Sequence, residues 1–415
     1  MSLPFVLFFV AIGLTLSAIA VYVHRRATRT FAIGRAVRAV TLVALLIAIL
    51  LPFAMRFARS SVGDSLAGSA AMVGFGVGLT LLIAAGFLVP FDITRWIATR
   101  LRERGSARAA VFPSEPAIPT EPAFTSAPTA APTLTRRDLL SRSYVGLAIG
   151  TGAATSLYGL TLGRHDYVLE QVPIPLRNLP RALDGYTIAQ LSDVHVGIFV
   201  GERELDAAVE LVRRARPDLI VMTGDLIDHD PSYLPVLGRF ARRLASLGAR
   251  DGVVAIPGNH DYYTGIDEVL ATLRAAGVDV LRNDARVIGD RGAAFALLGV
   301  DDVWAPRNGY GAGADLAASL AQVPPDLARV LLCHNPEYFP EAASRVDLQL
   351  SGHTHGGQVN FIVRPADLVL RHGYIRGHYV RGESQIYVNR GFGTAGPPAR
   401  LGSPPEVSRI VLTTT

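Results

Sequence analysis

Apolar segments long enough to cross a bilayer are confined to the first 165 residues of the chain. They run over about 3–23, 39–53, 70–89 and 144–162. A helix needs about 20 mostly apolar residues to span the hydrocarbon core. The first and third segments have that length, and the second reaches it with Met55 and Phe57 included. We expect three transmembrane helices over 1–105. The fourth segment, within 135–163, is richer in Gly, Ala, Ser and Thr, so a buried core helix is a stronger alternative there.

The arginines suggest an orientation in the membrane. All 40 basic residues of the chain are Arg. Positive charge in short loops is retained in the cytoplasm. Five arginines follow the first segment, two follow the second and eight follow the third: Arg25, Arg26, Arg29, Arg35 and Arg38; Arg56 and Arg59; Arg95, Arg100, Arg102, Arg104, Arg108, Arg136, Arg137 and Arg142. We therefore expect a bacterial inner or plasma membrane protein in which everything after about residue 163 is extracytoplasmic.

The stretch that precedes the fourth segment agrees with this orientation. Its residues 135–140, Thr-Arg-Arg-Asp-Leu-Leu, resemble a twin-arginine export signal. Ordinary cytoplasmic arginines are the alternative, and both interpretations place the rest of the chain on the same side. Residues 106–134 are dominated by Ala, Pro, Thr and Ser without a hydrophobic period, which predicts a disordered linker.

Residues 164–415 differ in charge and in pattern from the region before them. Up to Gly163 there are 15 Arg against 6 acids, whereas the remainder has 25 Arg against 29 acids. A mildly acidic domain argues against a nucleic-acid-binding face. The single cysteine, Cys333, excludes an intramolecular disulfide.

Short β-rich runs alternate with helical ones in this second region, which predicts a layered α/β domain with buried strands. Amphipathic helices are expected at 202–215 and 267–276. Strands are expected at 187–191, 219–223, 253–256, 294–298, 330–333, 348–350, 385–388 and 409–412.

Residues able to bind metal follow five of the predicted strands. The carboxyl ends of strands are where sites assemble in α/β sheets, so we expect these side chains to converge. The candidate ligands are two Asp, one Asn and four His, namely Asp193, His195, Asp225, Asn259, His334, His353 and His355. Such a set suits Mn, Fe or Zn. Seven ligands are too many for one ion with an open position, and they suit two divalent ions about 3.5–4 Å apart that share a carboxylate.

The order of the motifs carries a resemblance. Five motifs in this order resemble those of the calcineurin-like metallophosphoesterase superfamily. They are Asp-x-His at 193–195, Gly-Asp-x-x-Asp at 224–228, Gly-Asn-His-Asp at 258–261, a lone His at 334 and Gly-His-x-His at 352–355. Further motifs are similar to those of one branch of this superfamily. They are the continuation of the last metal motif to Gln358, the run Val-Asn-Arg-Gly-Phe-Gly-Thr at 388–394, Arg400, and Pro-Glu at 405–406. That branch contains the YkuE and YaeI phosphoesterases and the transmembrane proteins with a metallophosphoesterase domain. The resemblance implies a four-layer αββα sandwich over 164–415.

The resemblance also implies a role for each candidate residue. One ion would take Asp193, His195 and His355, the other would take Asn259, His334 and His353, and Asp225 would bridge them. A hydroxide shared by the ions would attack phosphorus. His260 would act as the acid at the leaving oxygen, and Asp228 would orient His260.

The expected function is hydrolysis of a phosphomonoester, phosphodiester or pyrophosphate in a phosphorylated small molecule or lipid, without nucleic acid. One alternative is a UDP-2,3-diacylglucosamine-type pyrophosphatase of lipid A metabolism, whose cytoplasmic substrate conflicts with the expected topology. Another is a catalytically inert platform for protein partners. A transporter or sensor with a catalytic appendage is a third alternative, disfavoured because the first and third segments lack ionisable residues.

Several other residues are weaker candidates. The basic residues between the last metal motif and the strand at 385–388 could hold a substrate phosphate, although an ordinary basic loop is the simpler explanation. They are Arg364, Arg371, Arg376, Arg381, His372 and His378. His229 and Asp230 are expected to be solvated, and Cys333 is expected to be a strand residue and no nucleophile.

Overall fold

The computed structural model describes residues 3–109, 134–290, 292–370 and 372–415, with the backbone alone for 3–6, 8, 9, 56–62 and 105–109. The predicted linker at 106–134 lies almost entirely outside these residues. The chain divides into two compact units, Met1–Leu157 and Tyr158–Thr415.

Long helices form the first unit. They are α1 Leu3–Thr30, α2 Arg35–Val62, α3 Asp64–Ala109 and α4 Arg136–Thr161, of which the last four residues belong to the second unit. By length and composition, three described stretches could cross a membrane: Arg35–Met55, Asp64–Arg104 and Arg136–His165. The first predicted segment, 3–23, lies in α1, where several side chains fall outside the described part.

The second unit contains twelve strands over its described residues. In chain order they are β1 Val168–Leu176, β2 Tyr186–Leu191, β3 Leu219–Thr223, β4 Val253–Ile256, β5 Asp279–Val280, β6 Asp284–Asp290, β7 Ala293–Gly299, β8 Arg329–Leu332, β9 Leu348–Ser351, β10 Gly377–Arg381, β11 Ser384–Val388 and β12 Glu406–Thr414.

Helices lie between these strands. They are α5 Glu202–Ala215, α6 Leu234–Ala245, α7 Asn259–Thr264, α8 Ile266–Ala275, α9 Leu316–Leu320, α10 Phe339–Ala342 and α11 Ala366–Val369. Short 3-10 turns occur at Gly163–His165, Arg181–Leu183, Pro231–Tyr233, Pro306–Asn308, Pro336–Tyr338 and His355–Gly357.

The strands form two six-stranded sheets. The first sheet has the order β1-β12-β2-β3-β4-β5, and the second has the order β10-β11-β9-β8-β7-β6. Strands β2 to β5 run parallel to one another, as do β7, β8, β9 and β11. Every residue of β2, β3 and β4 is buried, as expected for parallel strands covered on both faces.

Three apolar layers hold the second unit together. Residues of both sheets, among them Ile188, Val221 and Leu350, form one core that lies between the sheets. Leu205 of α5 and Phe240 of α6 belong to a second core on the outer face of the first sheet. A third core lies on the outer face of the second sheet and includes residues of α9 and α10. The order helix, sheet, sheet, helix confirms the predicted αββα sandwich.

Candidate metal centre

The predicted site residues follow neighbouring strand ends in both sheets. Asp193 and His195 follow β2, Asp225 and Asp228 follow β3, and Asn259 and His260 follow β4. In the second sheet, His334 follows β8, and His353 and His355 follow β9. Because β2, β3 and β4 are adjacent and parallel, as are β8 and β9, their carboxyl ends meet at one edge of each sheet. The expected convergence of five strand ends is therefore present.

Close backbone approach joins the two sheets at this edge. The backbone N–H of His353 donates to both carboxylate oxygens of Asp193, each at 2.9 Å. A Cβ atom at Gly352 would lie 1.9 Å from Oγ of Ser192. One at Gly224, where φ is +85°, would lie 2.8 Å from Nδ1 of His334. Only glycine fits at these two positions, so the motif glycines allow the facing strand ends to touch.

The loops that carry the candidate ligands adopt an unusual backbone conformation. Five of the seven ligands have a positive φ: Asp193 (51°), His195 (50°), Asp225 (53°), His353 (71°) and His355 (50°). This left-handed region is uncommon for residues with a Cβ atom, and it concentrates at functional sites. The surrounding contacts therefore hold these side chains in place at a cost to the local backbone.

Asp193, His195 and His355 form the first cluster of possible metal ligands. Nε2 of His195 lies 3.1 Å from Nε2 of His355, which lies 3.4 Å from Oδ1 of Asp193. All three residues are buried. A carboxylate and two imidazole nitrogens thus point at one another in an enclosed space, which is how the ligands of a cation are arranged.

Asp225, His334 and His353 form the second cluster. Oδ2 of Asp225 lies 3.2 Å from Nε2 of His334 and 3.7 Å from Nε2 of His195, so one carboxylate oxygen reaches both clusters. Nδ1 of His353 lies 3.3 Å from Nε2 of His334. The structure therefore places Asp225 between the two sets, where a bridging ligand belongs.

Asn259 supplies an oxygen atom with no partner among the described residues. Its Oδ1 is buried and accepts no hydrogen bond. The next residue, His260, donates its backbone N–H to Oδ1 of Asp225 at 2.8 Å, which places Asn259 beside the second cluster. A buried amide oxygen without a donor is costly unless a ligand satisfies it. Together with two carboxylates and four imidazoles, it makes a donor set that fits divalent transition metals.

His260 and Asp228 are also in contact, as expected. Nδ1 of His260 lies 3.3 Å from Oδ1 of Asp228. The same oxygen lies 2.6 Å from Nδ1 of His229, and the rings of His229 and His260 meet edge to face at 4.4 Å. His229 is partly exposed, and it also shares the carboxylate that holds His260. Asp228 and His229 are adjacent in the chain, and folding brings His260, which follows β4, to both of them.

Burial and neighbouring charge set the protonation of the cluster. Burial lowers the pKa of His195 and of His353 to about 3, and burial with the nearby Arg400 holds that of His355 well below its usual range. These imidazoles are neutral, as metal ligands must be. Burial opposes the charged form of His334, but Asp225 outweighs it and raises the pKa to about 10.

The two carboxylates of the clusters respond in opposite ways. Burial raises the pKa of Asp193 to about 6. Burial also opposes the ionisation of Asp225, yet His334 and His260 hold its pKa well below the usual range. The two histidines thus favour a negative charge on the carboxylate that lies between the clusters.

Asp228, the second carboxylate of the motif that follows β3, stays ionised for a similar reason. Burial opposes the charged form of Asp228, but hydrogen bonds from His229 and His260 hold its pKa well below its usual range. In return, the charges of Asp225 and Asp228 overcome burial and raise the pKa of His260. A protonated His260 is the form that an acid requires.

The run 388–394 and Arg400 support the first cluster from behind. The backbone N–H of Gly393 donates to the carbonyl oxygen of Asp193 at 2.7 Å. Arg400 is fully buried, and its guanidinium donates to the carbonyl oxygens of His355, Arg390 and Gly391. Burial lowers the pKa of this guanidinium to about 10. The sequence analysis included these residues in a motif but assigned them no role. In the structure they hydrogen-bond to the backbone of Asp193 and His355.

Two further buried acids lie near the site and were not singled out from the sequence. Asp261 accepts backbone N–H groups of Gly258, Asp225 and Leu226 at 2.8–3.0 Å, so it ties the β3 and β4 motifs together. Asp302 is buried with an unpartnered Oδ2, and burial, opposed in part by His334, raises its pKa to about 6. Asp261 belongs to the Gly-Asn-His-Asp motif, which was a signal for it, whereas Asp302 follows β7 without a motif.

Several basic residues after the last metal motif have partners within the described part of the chain. Arg364 pairs with Asp367 at 2.7 Å, and Arg376 donates to the carbonyl oxygen of Gly402 at 2.5 Å. His378 bonds to Gln385 at 2.9 Å. Arg371 lies outside the described residues. Cys333 directly follows β8 and is buried, and burial raises its pKa well above the usual range, which disfavours the thiolate form.

Comparison with known proteins identifies the family. The profile of the calcineurin-like phosphoesterases matches residues 186–357, which include all of the candidate site. An uncharacterized metallophosphoesterase of Aquifex aeolicus is 38% identical over 245 residues, which cover 59% of this chain and 91% of that protein.

Two other relatives belong to the branch of the superfamily that the sequence motifs resemble. The uncharacterized metallophosphoesterase YkuE of Bacillus subtilis is 30% identical over 68% of this chain and 99% of its own length. The transmembrane protein with metallophosphoesterase domain of Bos taurus is 33% identical over 64% of this chain, and the match spans 62% of the bovine protein. The chain belongs to the calcineurin-like phosphoesterase family, whose members are metallophosphoesterases that hydrolyse phosphoester bonds.

Proposed function

We propose that this protein is a membrane-anchored phosphoesterase that uses two divalent metal ions to hydrolyse a phosphomonoester, a phosphodiester or a pyrophosphate. The observation that carries the proposal is the position of Asp225, with one carboxylate oxygen within 3.7 Å of a ring nitrogen from each of two ligand clusters. A single carboxylate shared between two sets of imidazoles is the arrangement that a pair of ions requires.

The ligands divide between two ions in this proposal. Asp193, His195 and His355 would hold one ion, and Asn259, His334 and His353 would hold the other, with Asp225 between them. The mixture of carboxylate, amide and imidazole ligands favours Mn, Fe or Zn. When bound, the ions would supply an activated water and neutralise charge on the phosphoryl oxygens.

His260 is the proposed acid for the leaving group. Its Nδ1 faces Asp228, so the ring is oriented and Nε2 is left for the substrate. A proton delivered from Nε2 to the leaving oxygen would let a poor leaving group depart. Asp228 and His229 would act by positioning: Asp228 keeps the ring charged and aligned, and His229 bonds to the same carboxylate oxygen.

The membrane region would act as an anchor. We propose three transmembrane helices over 1–105, a linker at 106–134, a fourth span within 135–163 and a catalytic domain from 164 onward. The arginine distribution supports an extracytoplasmic catalytic domain at a bacterial inner or plasma membrane. Substrates would then be phosphorylated small molecules or lipids exposed on that side.

Two variants of the purified full chain test the proposal. The detergent-solubilised protein, loaded with Mn²⁺, should hydrolyse members of a monoester, diester and pyrophosphate panel and should contain close to two ions per chain. Asp225→Asn should lose both the ions and the activity, whereas Asp230→Asn, two residues beyond Asp228 and outside both clusters, should keep both. An active preparation that holds one ion or none would contradict the proposal. A protein with two ions and no activity on any substrate would favour the inert platform.

A further inference from the structure

Four strongly exposed apolar side chains cluster in the segment 361–369. Ile362, Val363, Leu368 and Val369 are 74%, 67%, 85% and 74% exposed. Phe361 is also exposed, so five large apolar residues lie within nine positions. In the rest of the described second unit such residues are scattered, at Tyr158, Leu162, Val287, Tyr310 and Val380. Scattered apolar residues are ordinary on a protein surface, but a cluster marks an interaction site.

The apolar segment is attached directly to the metal centre. It begins three residues beyond Gln358, whose backbone N–H donates to the carbonyl oxygen of His355 at 2.9 Å. Nδ2 of Asn360 donates to the carbonyl oxygen of Gly356 at 3.0 Å. On the return path, Oγ1 of Thr354 donates to the carbonyl oxygen of Ile375 at 2.6 Å. The base of the segment is therefore fixed beside a proposed metal ligand, and its apolar side chains extend into solvent.

The end of α4 lies beside the same base. The backbone N–H of Arg400 donates to the carbonyl oxygen of Gly159 at 3.0 Å, and the side chain of Leu401 would lie 3.0 Å from a Cβ atom at Gly159. Leu401 in turn bonds to Gln358 and Asn360 through backbone hydrogen bonds of 2.9 and 2.8 Å. Arg400 and Leu401 thus connect the last turn of α4 to residues 358–360, which directly precede the apolar segment.

The last turn of α4 belongs to the second unit, and only a short stretch of chain separates it from β1. The stretch that could cross a membrane ends at His165, and β1 begins at Val168, so the intervening chain reaches about 10 Å at most. Arg164 donates to the carbonyl oxygen of Phe199 at 2.8 Å, and Tyr167 stacks on Phe392 at 4.7 Å. A bilayer that contains α4 must therefore end close to the base of the apolar segment.

The charge around the segment suits an anionic bilayer. Residues 358–381 contain four arginines and a single acid, Asp367. The net charge of this stretch is therefore positive, and its one acid is paired with Arg364. Arginines beside an apolar cluster favour the head-group region of anionic lipids, where the apolar side chains can enter the hydrocarbon boundary.

We propose that the segment 361–369 inserts into the surface of the bilayer that contains α4, so that the metal centre faces the head groups of membrane lipids. The proposal rests on the proposed membrane anchorage. It also adds to the proposed function, because a site held at this level is suited to a phosphorylated lipid in the membrane.

Depth-dependent fluorescence quenching of the full-length protein tests this. Ile362→Cys and Leu368→Cys are labelled with an environment-sensitive fluorophore in bilayers of phosphatidylcholine and phosphatidylglycerol, with nitroxide-bearing acyl chains as the quencher in lipid and iodide as the quencher in water. The unsubstituted chain is the labelling blank, because its Cys333 is buried. Leu147→Cys, exposed on α4, is the control within the span, and Val287→Cys, exposed on β6, is the control in water.

We expect the labels at 362 and 368 to be quenched by lipid nitroxide several-fold more than the label at 287, and protected from iodide. If the label at 147 is quenched but those at 362 and 368 respond like 287, the anchorage holds and the docking segment is wrong. Protection of 362 and 368 from both quenchers would show that protein covers the segment, which also overturns the proposal. Absence of lipid quenching at 147 would remove the anchorage and the docking together.

Discussion

Nη2 of the buried Arg400 lies 3.1 Å from Nδ1 of His355, on the side of the imidazole away from Asp193. A guanidinium only donates, and a neutral imidazole that binds a metal through Nε2 carries its proton on Nδ1, so this contact is no hydrogen bond in the metal-bound form. Arg400 holds His355 instead through the hydrogen bond from Nη1 to its carbonyl oxygen at 3.1 Å. The same guanidinium donates to several backbone carbonyl groups of the surrounding loops. Arg400 therefore connects the final loop of the domain to the metal centre.

Substitution of Arg400 should weaken the metal centre. Lysine keeps the charge but has a single nitrogen, which cannot reach all of these carbonyl groups together. We expect Arg400→Lys to lower the affinity for the ion held by His355 by about 10–100-fold, the usual effect of losing such a supporting contact. A chelator competition titration measures this. Arg409→Lys is the matched control and should change the affinity little, because Arg409 lies on β12 and its guanidinium donates to the carbonyl oxygen of Ala215 at the end of α5.

Substitution of His260 should affect chemistry more than metal binding. We expect His260→Ala to keep its ions and to lose about 10²–10⁴-fold in rate, the range of general acid catalysis. The loss should shrink for substrates with good leaving groups, such as nitrophenyl esters, because these depart without a proton. Steady-state rates with paired good and poor leaving groups provide the measurement. His229→Ala is the control: it shares Asp228 but is not the proposed acid, and it should lose far less. An equal loss for both leaving groups would rule out the acid role.

Metal binding should release protons and weaken on acidification. His334, with a pKa raised to about 10, is protonated near neutral pH before metal binds, and Asp193, with a pKa raised to about 6, becomes protonated below that value. Each must lose its proton to bind an ion. We expect His334 to contribute about one released proton near pH 8, in addition to the proton lost by the activated water, with more released near pH 5 and a metal affinity that falls more steeply below about pH 6. Calorimetric titration with Mn²⁺ in buffers of different ionisation enthalpy counts these protons. Binding that is independent of pH over this range would contradict the assignment.

The orientation of the membrane region predicts the location of the active site. Arginines at both ends of the loop between the third and fourth segments should hold that loop in the cytoplasm. A reporter that is active only outside the cytoplasm should therefore work when fused after Thr415 and fail when fused near Pro122. The reverse pattern would place the active site in the cytoplasm and support the UDP-diacylglucosamine alternative.

The sequence predicted the centre of the fold better than its margins. The eight predicted strands all exist, because each is buried on both faces or paired within a core and therefore reads as an apolar run. Strands β1, β5, β6 and β10 were missed. They lie at or next to sheet edges, and exposure there removes the continuous apolar pattern; β1 also contains Pro173 and Pro175, which only edge strands tolerate.

The candidate site shows the same division. The candidate ligands could be named from the sequence because they lie in short contiguous motifs, and the structure brings six of them together in the two clusters. The ring contact of His229 with His260, the position of Arg400 behind His355 and the buried Asp302 arise from loops that meet only in the folded protein. No local pattern encodes such meetings, since they depend on which strands become neighbours.

The left-handed conformation of five proposed ligands has a consequence for how this sequence changes under selection. Each such residue costs on the order of 1–3 kcal/mol that glycine would avoid. In a lineage that no longer needed the centre, exchanging Asp193, His195, Asp225, His353 or His355 for glycine would relieve this backbone cost. This chain carries Asp or His at all five positions. An inert descendant should be recognisable by glycines at the same places.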